Sequence, residues 1–358
     1  MSPVQEAGRK PRTPGGVTVR SRGGRVSLRI ELRAVVVALA LLAALVVTVG
    51  ATLTTGDFEL SIGEAFQALV GKGSGSADFI VNTLRLPRLL TAMGVGAALA
   101  VSGAILQSLS RNPLGSPDVI GFTNGSATGA LVVIVVLHGS MAQIAAGALI
   151  GGLATALIVY LLAFTRGSQG FRLVVIGIGV SAILLAANSY LITRASLQDA
   201  LAAQTWLIGS LNSRTWDEAT MIGIALAVLL PIALRFGRRL SLLEMGDDTA
   251  GALGVDAART RLVLLAVSVG LAAVATAATG PIWFVALAAP QLARRLIRSS
   301  GPGLLPAALM GAVLLAASDF AVQRLFSPAL LPVGTATGTV GGLYLIGLLV
   351  AESRKSRA

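Results

Sequence analysis

The sequence contains no cysteine and only one histidine, His138. The lack of cysteine excludes a disulfide framework, a thiolate metal site and a cysteine nucleophile. The single histidine follows an apolar run in a loop-like HGS segment, so neither a histidine metal cluster nor a Ser/His/Asp triad is expected. The sequence also has no HExxH and no GxSxG motif. We therefore predict that the chain is not an enzyme and holds no metal or cofactor of its own.

Charged residues are scarce as well. They make up 12% of the 358 residues, whereas 54% are hydrophobic and the mean hydropathy is +0.82. An average soluble domain has about 25% charged residues. The 42 glycines fit a membrane bundle, because small residues let helices approach closely in lipid. The composition predicts an all-α polytopic membrane protein with a single membrane domain over residues 33–352.

The net charge of +12 would also suit a nucleic-acid-binding protein. The positions of the basic residues distinguish that class from a membrane protein. Most of them lie in segment 1–32, in the tail 353–358 and in loops on one side of the predicted bundle. This is the positive-inside pattern, which predicts cytoplasmic N and C termini and no nucleic-acid partner. Segment 1–32 is rich in Gly, Pro, Ser and Thr, which predicts a disordered tail that is attracted to anionic membrane lipid.

The apolar runs predict about ten transmembrane helices. The first run matches the ~20 residues that cross a bilayer and exceeds the ~7–15 of a signal-peptide core, so it is predicted to be retained. The third and eighth runs are short, and residues 194–214 are predicted to form a helix at the outer surface. The predicted spans are 34–53, 84–108, 130–137, 143–164, 173–192, 215–236, 262–278, 283–292, 304–325 and 333–351.

Two of these spans resemble each other. Residues 85–105 read RLPRLLTAMGVGAALAVSGAI, and residues 259–282 read RTRLVLLAVSVGLAAVATAATGPI. Each has a basic start, a VG pair and a small-residue stretch that ends in isoleucine. The second and seventh spans run in opposite directions, so the resemblance predicts the inverted repeat that many transporters have.

Residues 240–261 form the longest polar interruption in the middle of the chain. Apolar residues recur there at roughly helical spacing with charges between them, which predicts a short amphipathic helix. Such a helix needs a partner surface in water. Glu244, Asp247 and Asp248 form an acidic face of this segment, on a side of the membrane otherwise dominated by arginine.

Asp319 is the acid flanked by long apolar runs. An acid inside a membrane span suggests a proton relay, whereas its place near the end of a span, close to Arg324, suggests helix-end hydrogen bonding. A transporter driven by protons or sodium is expected to bury more ionisable groups. The energy source is therefore predicted to lie in another chain.

Many ordered motifs occur between residues 32 and 349. They are RLPR at 85–88, GAxLAxSGAxxQ at 96–107, RNPL at 111–114, GFxNG at 121–125, WLxGSL at 206–211, the LLEMG and LGV segment, GPIxFVxLxxPQLAR at 280–294, and LPVG with GG at 331–342. Together these motifs resemble the FecCD permeases, the membrane subunits of type II ABC importers for ferric siderophores, haem and cobalamin.

The resemblance implies three kinds of protein partner: a second permease subunit, identical or different, two cytosolic ATPases that bind ATP and magnesium, and an extracytoplasmic substrate-binding protein. Arg85 and Arg88 would pair with acids of the binding protein, and the alternative is that both are snorkelling anchors. Arg324 is the nearest counterpart of a third docking arginine, displaced by one position. The family's acid before LPVG is replaced by Leu331.

The resemblance also assigns the remaining candidate sites, with simple packing as the alternative for each residue of the inner gate and of the transport path. Segment 240–261 would be the coupling segment that inserts into the ATPase. The inner gate would include Gly170 and Phe171. The coupling residues would be Leu243, Glu244, Met245, Gly246, Leu253 and Gly254, and the transport path would be lined by Gly177, Gly179, Ser181, Asn188, Thr335, Thr337 and Thr339.

The function expected from the resemblance is a permease of the bacterial cell membrane that imports a ferric siderophore with ATP hydrolysed by partner subunits. Cobalamin or haem import by the same machinery is the first alternative, and a self-powered secondary transporter is the second. The metal would travel inside its chelator, so no metal ligands are expected in this chain.

Overall fold

The computed structural model describes residues 16–20, 27–163, 169–298, 301–327 and 331–356. Helices account for most of these residues, which confirms the all-α membrane fold. Two wider, π-type helical segments, Phe79–Arg85 and Val133–Leu137, precede α4 and follow α5. The helices are α1 Leu32–Thr54, α2 Ile62–Leu69, α3 Gly75–Asp78, α4 Leu86–Ser110, α5 Phe122–Val132, α6 Met141–Ala163, α7 Gln169–Arg194, α8 Leu197–Ile208, α9 Trp216–Glu244, α10 Asp247–Ala252, α11 Ala257–Thr279, α12 Val285–Ile297, α13 Leu304–Leu325 and α14 Val333–Ser356.

Two short strands precede α1. Strand β1, Gly16–Arg20, pairs antiparallel with β2, Ser27–Glu31, and Val17 lies opposite Ile30 in the register. The sequence predicts a disordered tail over 1–32, whereas ten positions of that tail lie in these two strands. The segments GVTVR and SLRIE alternate apolar and polar residues, which is the period of a strand, but the surrounding glycine and arginine obscure it.

In the part of the chain that the structure describes, every predicted span overlaps a helix. Within the described residues, seven helices are long and apolar enough to cross a membrane: α1, the continuous helical run Gly75–Ser110 that contains α4, α6, Arg172–Arg194 of α7, α9, α11 and α13. The third predicted span corresponds to the shorter apolar run Phe122–Leu137. The eighth and tenth correspond to α12 and α14. Helix α14 continues to Ser356, so part of the predicted tail 353–358 is helical.

Helices α4 and α11 form the centre of the bundle. Helix α4 packs against α13 and α12, and α11 packs in the same way against α6 and α5. If the first five predicted spans trade places with the last five, α4 takes the place of α11, α5 that of α12 and α6 that of α13. The contacts of α4 then become those of α11. The packing therefore has the pattern that an inverted repeat requires.

Glycine allows the closest helix contacts. A Cβ at Gly96 of α4 would overlap the backbone carbonyl of Gly311 in α13, and one at Gly129 of α5 would overlap that of Gly147 in α6. Larger residues would separate these backbones. The high glycine content thus serves the close packing expected from the composition.

Helices α5 and α12 differ from the predicted bounds of the two short spans. Helix α5 starts earlier, at Phe122, so most of the glycine- and serine-rich run 121–129 is helical, because those small residues pack against α6. Helix α12 starts after Phe284, whose φ of 69° turns the chain, and continues to Ile297 instead of ending at 292.

The segment 240–261 is not one amphipathic helix. Helix α9 continues through Leu240 to Glu244, the short α10 follows, and α11 begins at Ala257. Gly246 has a φ of 114° and Gly254 a φ of 79°. This left-handed region favours glycine, so the two glycines separate the three helices and correct the single-helix prediction.

Candidate docking, coupling and transport sites

Arg85 lies where α4 meets the end of α1. Its Nη1 donates to the carbonyl oxygen of Leu53 at 2.6 Å, and its Nη2 donates to that of Phe58 at 2.6 Å. Gly56 leaves room for the guanidinium, since a Cβ there would overlap Nη2. The predicted docking arginine is therefore held in place by two backbone carbonyls.

Arg324 lies beside Arg85 in a cavity of about 270 Å³. Its guanidinium carbon is 5.7 Å from the centre of the Phe320 ring. Its buried Nε has no hydrogen-bond partner among the described residues. Asp57 and Gln323 also line the cavity. Two guanidinium groups thus line one recess, as an anionic side chain from another protein would require.

Arg88 differs from Arg85 because it is engaged by another helix. Its Nε and Nη2 donate to the two carboxylate oxygens of Asp319 in α13 at 2.8 and 2.7 Å. The two side chains are 15% and 5% exposed, and Gln323 also donates to Asp319. Both interpretations of Asp319 from the sequence missed this interhelical ion pair. In this structure Arg88 connects α4 to α13 and does not present a free guanidinium for docking.

The predicted coupling residues fall into two groups. Met245 is 65% exposed and Leu253 is 59% exposed, and the turns at Gly246 and Gly254 hold them at the two ends of α10. Leu243, in contrast, is buried. The exposed members form two apolar projections beside the exposed acids Asp247 and Asp248, which is typical of a surface that binds a partner.

Two acids of this segment, Glu244 and Asp247, face arginines of the same chain. Glu244 Oε1 lies 3.6 Å from Arg294 Nη2 in α12. Asp247 binds Arg261 of α11 through both carboxylate oxygens and lies 3.8 Å from Arg111, which follows α4. The acidic face predicted for a partner is therefore largely used within the chain, and α4, α11 and α12 are all attached to the coupling segment.

A cavity of about 670 Å³ lies between α7, the loop after α4 and the turn before α12. Its wall is mostly apolar and includes Trp283 and Phe284. Ser181 of α7 is the one predicted path residue among the described residues that line it, and it accepts a hydrogen bond from Asn124 Nδ2 at 2.6 Å. The cavity is thus a weakly polar space next to one of the two predicted path helices.

Some of the other predicted path residues are packed in the interior, and others are exposed. On α7, Gly177 is buried against Ile120, and the buried Asn188 accepts a hydrogen bond from Thr128 at 2.7 Å. On α14, Thr337 is buried, whereas Thr335 and Thr339 are exposed on the other side of the helix, and Gly179 of α7 is also exposed. Gly177, Asn188 and Thr337 therefore face the interior of the protomer in this structure. Gly170 and Phe171 lie in the first turn of α7.

Asp118 is a buried acid that sequence reasoning does not single out. It lies in the loop between α4 and α5 and contacts the 670 Å³ cavity. Its carboxylate accepts a 2.7 Å hydrogen bond from the Thr123 hydroxyl and another from the backbone N–H of Phe284. Burial raises the pKa of Asp118 from 3.8 to about 6, although both hydrogen bonds lower it.

The sequence profile of the FecCD transport family matches residues 40–351. The chain belongs to this family. It is 48% identical to the ferric enterobactin transport system permease protein FepG of Escherichia coli (strain K12), over 91% of this chain and 99% of that protein. It is 37% identical to the hemin transport system permease protein HmuU of Yersinia pestis, over 75% of this chain and 82% of that protein. A solved inward-facing structure of a protein described as a metal-chelate type ABC transporter has a TM-score of 0.78 and 31% identity, and covers 88% of this chain and 98% of that one.

As a FecCD protein with apolar membrane helices, the chain is a multi-pass protein of the cell membrane. Sequence reasoning missed the contacts of four residues: Arg111, Arg261 and Arg294, which face acids of the coupling segment, and Asp118, which contacts the cavity. Arg111 and Arg294 stand at the edges of the FecCD motifs RNPL and PQLAR. Their places in those motifs could have drawn attention to them, but only the fold shows that they meet the coupling segment.

Proposed function

We propose that this FecCD protein is the permease subunit of an ATP-driven importer that moves a ferric siderophore of the enterobactin type across the cell membrane. The observation that carries this proposal is the pair of exposed apolar residues, Met245 and Leu253, at the two ends of the short helix between α9 and α11. The choice of substrate is supported by the 48% identity to the ferric enterobactin permease, which spans nearly the whole of both chains.

Met245 and Leu253 supply the contact for a cytosolic ATPase. Burial of a side chain of this size in a partner groove contributes about 1.5–3 kcal/mol. The short helix between them is held by Asp247, which binds Arg261 and lies near Arg111. A rigid element with two apolar projections can both bind the ATPase and transmit its movement to the bundle.

Arg85 and Arg324 supply the contact for a substrate-binding protein on the opposite face. They line the same recess of about 270 Å³, and an acidic side chain entering it would meet both guanidinium groups. Arg88 contributes indirectly, because its ion pair with Asp319 fixes α4 against α13. We thus propose two docking arginines and one supporting arginine.

The wall of the transport path interacts only weakly with the transported chelate. Ser181, Thr335 and Thr339 offer small or hydroxyl-bearing side chains, and the cavity next to α7 is mostly apolar. A chelate that carries its own metal ligands can move along such a wall without being trapped. A second permease subunit would close the exposed faces of α7 and α14 around it.

Reconstitution tests the proposal. Proteoliposomes that contain the permease pair, its ATPase and its binding protein should accumulate ferric enterobactin only when ATP is supplied on the cytosolic side. The same vesicles should be offered haem and cobalamin in parallel. Uptake of haem or cobalamin but not ferric enterobactin would overturn the substrate assignment, and uptake without any ATPase would favour a secondary transporter.

A further inference from the structure

Helix α12 joins the coupling segment to the cavity beside α7. At one end, Arg294 Nη2 lies 3.6 Å from Oε1 of Glu244, the residue directly before the exposed Met245. At the other end, the helix begins after Phe284, which lines the cavity of about 670 Å³ together with Trp283. A single helix of 13 residues therefore reaches both sites.

Helix α12 is fixed to its surroundings along its length. Gln107 Nε2 of α4 donates to the carbonyl oxygen of Leu287 at 3.0 Å. Gln291 Nε2 of α12 donates to that of Pro113 at 2.7 Å. A Cβ at Gly103 of α4 would overlap the backbone of α12. Because both amides bond to backbone atoms in a buried contact, α12, α4 and the loop after α4 should move as one body.

Arg294 is placed to receive movement from the coupling segment. Its Nη2 also donates to Ser108 Oγ at 2.8 Å, near the end of α4. The side chains of Arg294 and Glu244 are 27% and 21% exposed, so solvent screens their attraction less than that of a surface pair. The next residue, Arg295, points elsewhere, 5.9 Å from the Tyr344 ring of α14. Of these two successive arginines, it is Arg294 that faces Glu244.

We propose that α12 is the rod that transmits movement of the coupling segment to the transport cavity, and that Arg294 is the positioning residue through which Glu244 moves it. This inference rests on the proposed function, because it assumes an ATPase at the coupling segment. At the far end, Asp118 holds the Phe284 backbone and the Thr123 hydroxyl together, which joins α12 to the loop between α4 and α5.

The test compares R294Q, the adjacent control R295Q and the charge swap E244R/R294E in proteoliposomes with the complete complex. The measured quantity is substrate taken up per ATP hydrolysed. R294Q should lower this ratio about fivefold, as expected for the loss of ~1 kcal/mol of coupling. R295Q should leave it unchanged. The swap should restore at least about half of it, because the attraction between the two side chains returns.

A second readout distinguishes transmission from simple destabilisation. The chain has no cysteine, so Ile178→Cys, at an exposed position in the cavity wall, gives it a single thiol. ATP binding should change the labelling rate of this thiol in the otherwise unmodified chain, and R294Q should abolish that change.

An unchanged uptake-to-hydrolysis ratio in R294Q would overturn the inference. So would a labelling response that persists in R294Q, or a folded charge-swap complex that stays uncoupled. Absence of ATP-driven uptake in the unmodified complex is a separate result, which would overturn the proposed function itself.

Discussion

The ion pair between Arg88 and Asp319 makes the sharpest prediction about stability. In Arg88→Met, the Asp319 carboxylate would remain buried at 5% exposure, with the Gln323 amide as its remaining donor in the described structure. Removal of one partner of a buried pair costs about 3–5 kcal/mol, because the other charge is left uncompensated. The expected result is a large loss of stability against unfolding in detergent.

The double variant R88M/D319L provides the control. Replacing both charges by apolar side chains of similar size removes the unpaired carboxylate, so most of the stability should return. Chemical unfolding, followed by circular dichroism, measures all three proteins, and binding-protein affinity is measured alongside. If R88M kept full stability but lost the binding protein, Arg88 would be a docking contact and its structural role would be refuted.

Three further predictions concern other sites. Gly56→Ala should displace the Arg85 guanidinium from its two carbonyls, costing roughly 2 kcal/mol in unfolding experiments and weakening the binding-protein complex. Gly246→Ala should uncouple transport without a side-chain clash in the described structure, because a φ of 114° costs a non-glycine residue about 1–3 kcal/mol; normal uptake would contradict this. Asp118→Asn should stabilise the protein at pH 8 by about 2–3 kcal/mol but not at pH 3. Burial raises the pKa of Asp118 from 3.8 to about 6, so its favourable contribution is complete below about pH 3.8 and is lost as the pH rises from there through 6. Unfolding curves at the two pH values test this, and equal effects at both would contradict it.

The sequence predicts the type and the places of the membrane helices well, because an apolar run about as long as a bilayer is thick rarely forms anything but a membrane span. Within the described residues, seven of the ten predicted spans coincide with helices long and apolar enough to cross a membrane. The residues 304–325 of α13 are predicted to the residue. The predicted ends of the helices are wrong where the local composition fits both a helix and a loop. The glycine-rich start of α5 resembles a loop, and its helical state depends on packing against α6. The end of α9 resembles a separate helix because charges interrupt its apolar pattern.

The sites depend more strongly on contacts between distant residues. The exposed Met245 and Leu253 could be predicted, since apolar residues in a polar segment require a partner. The pairing of Arg88 with Asp319 joins residues 231 positions apart, and no local pattern indicates it. Asp118 escapes sequence reasoning because the loop around it looks polar and flexible, whereas the fold buries it beside Phe284.

We propose that the energy of ATP hydrolysis enters this protein through Met245 and Leu253. The most direct measurement is ATP-driven uptake by proteoliposomes that contain the complete complex with M245E/L253E, compared with the conservative control M245L. M245E/L253E should lose ATPase attachment and uptake together, while M245L should retain both. Undiminished uptake by M245E/L253E would contradict it.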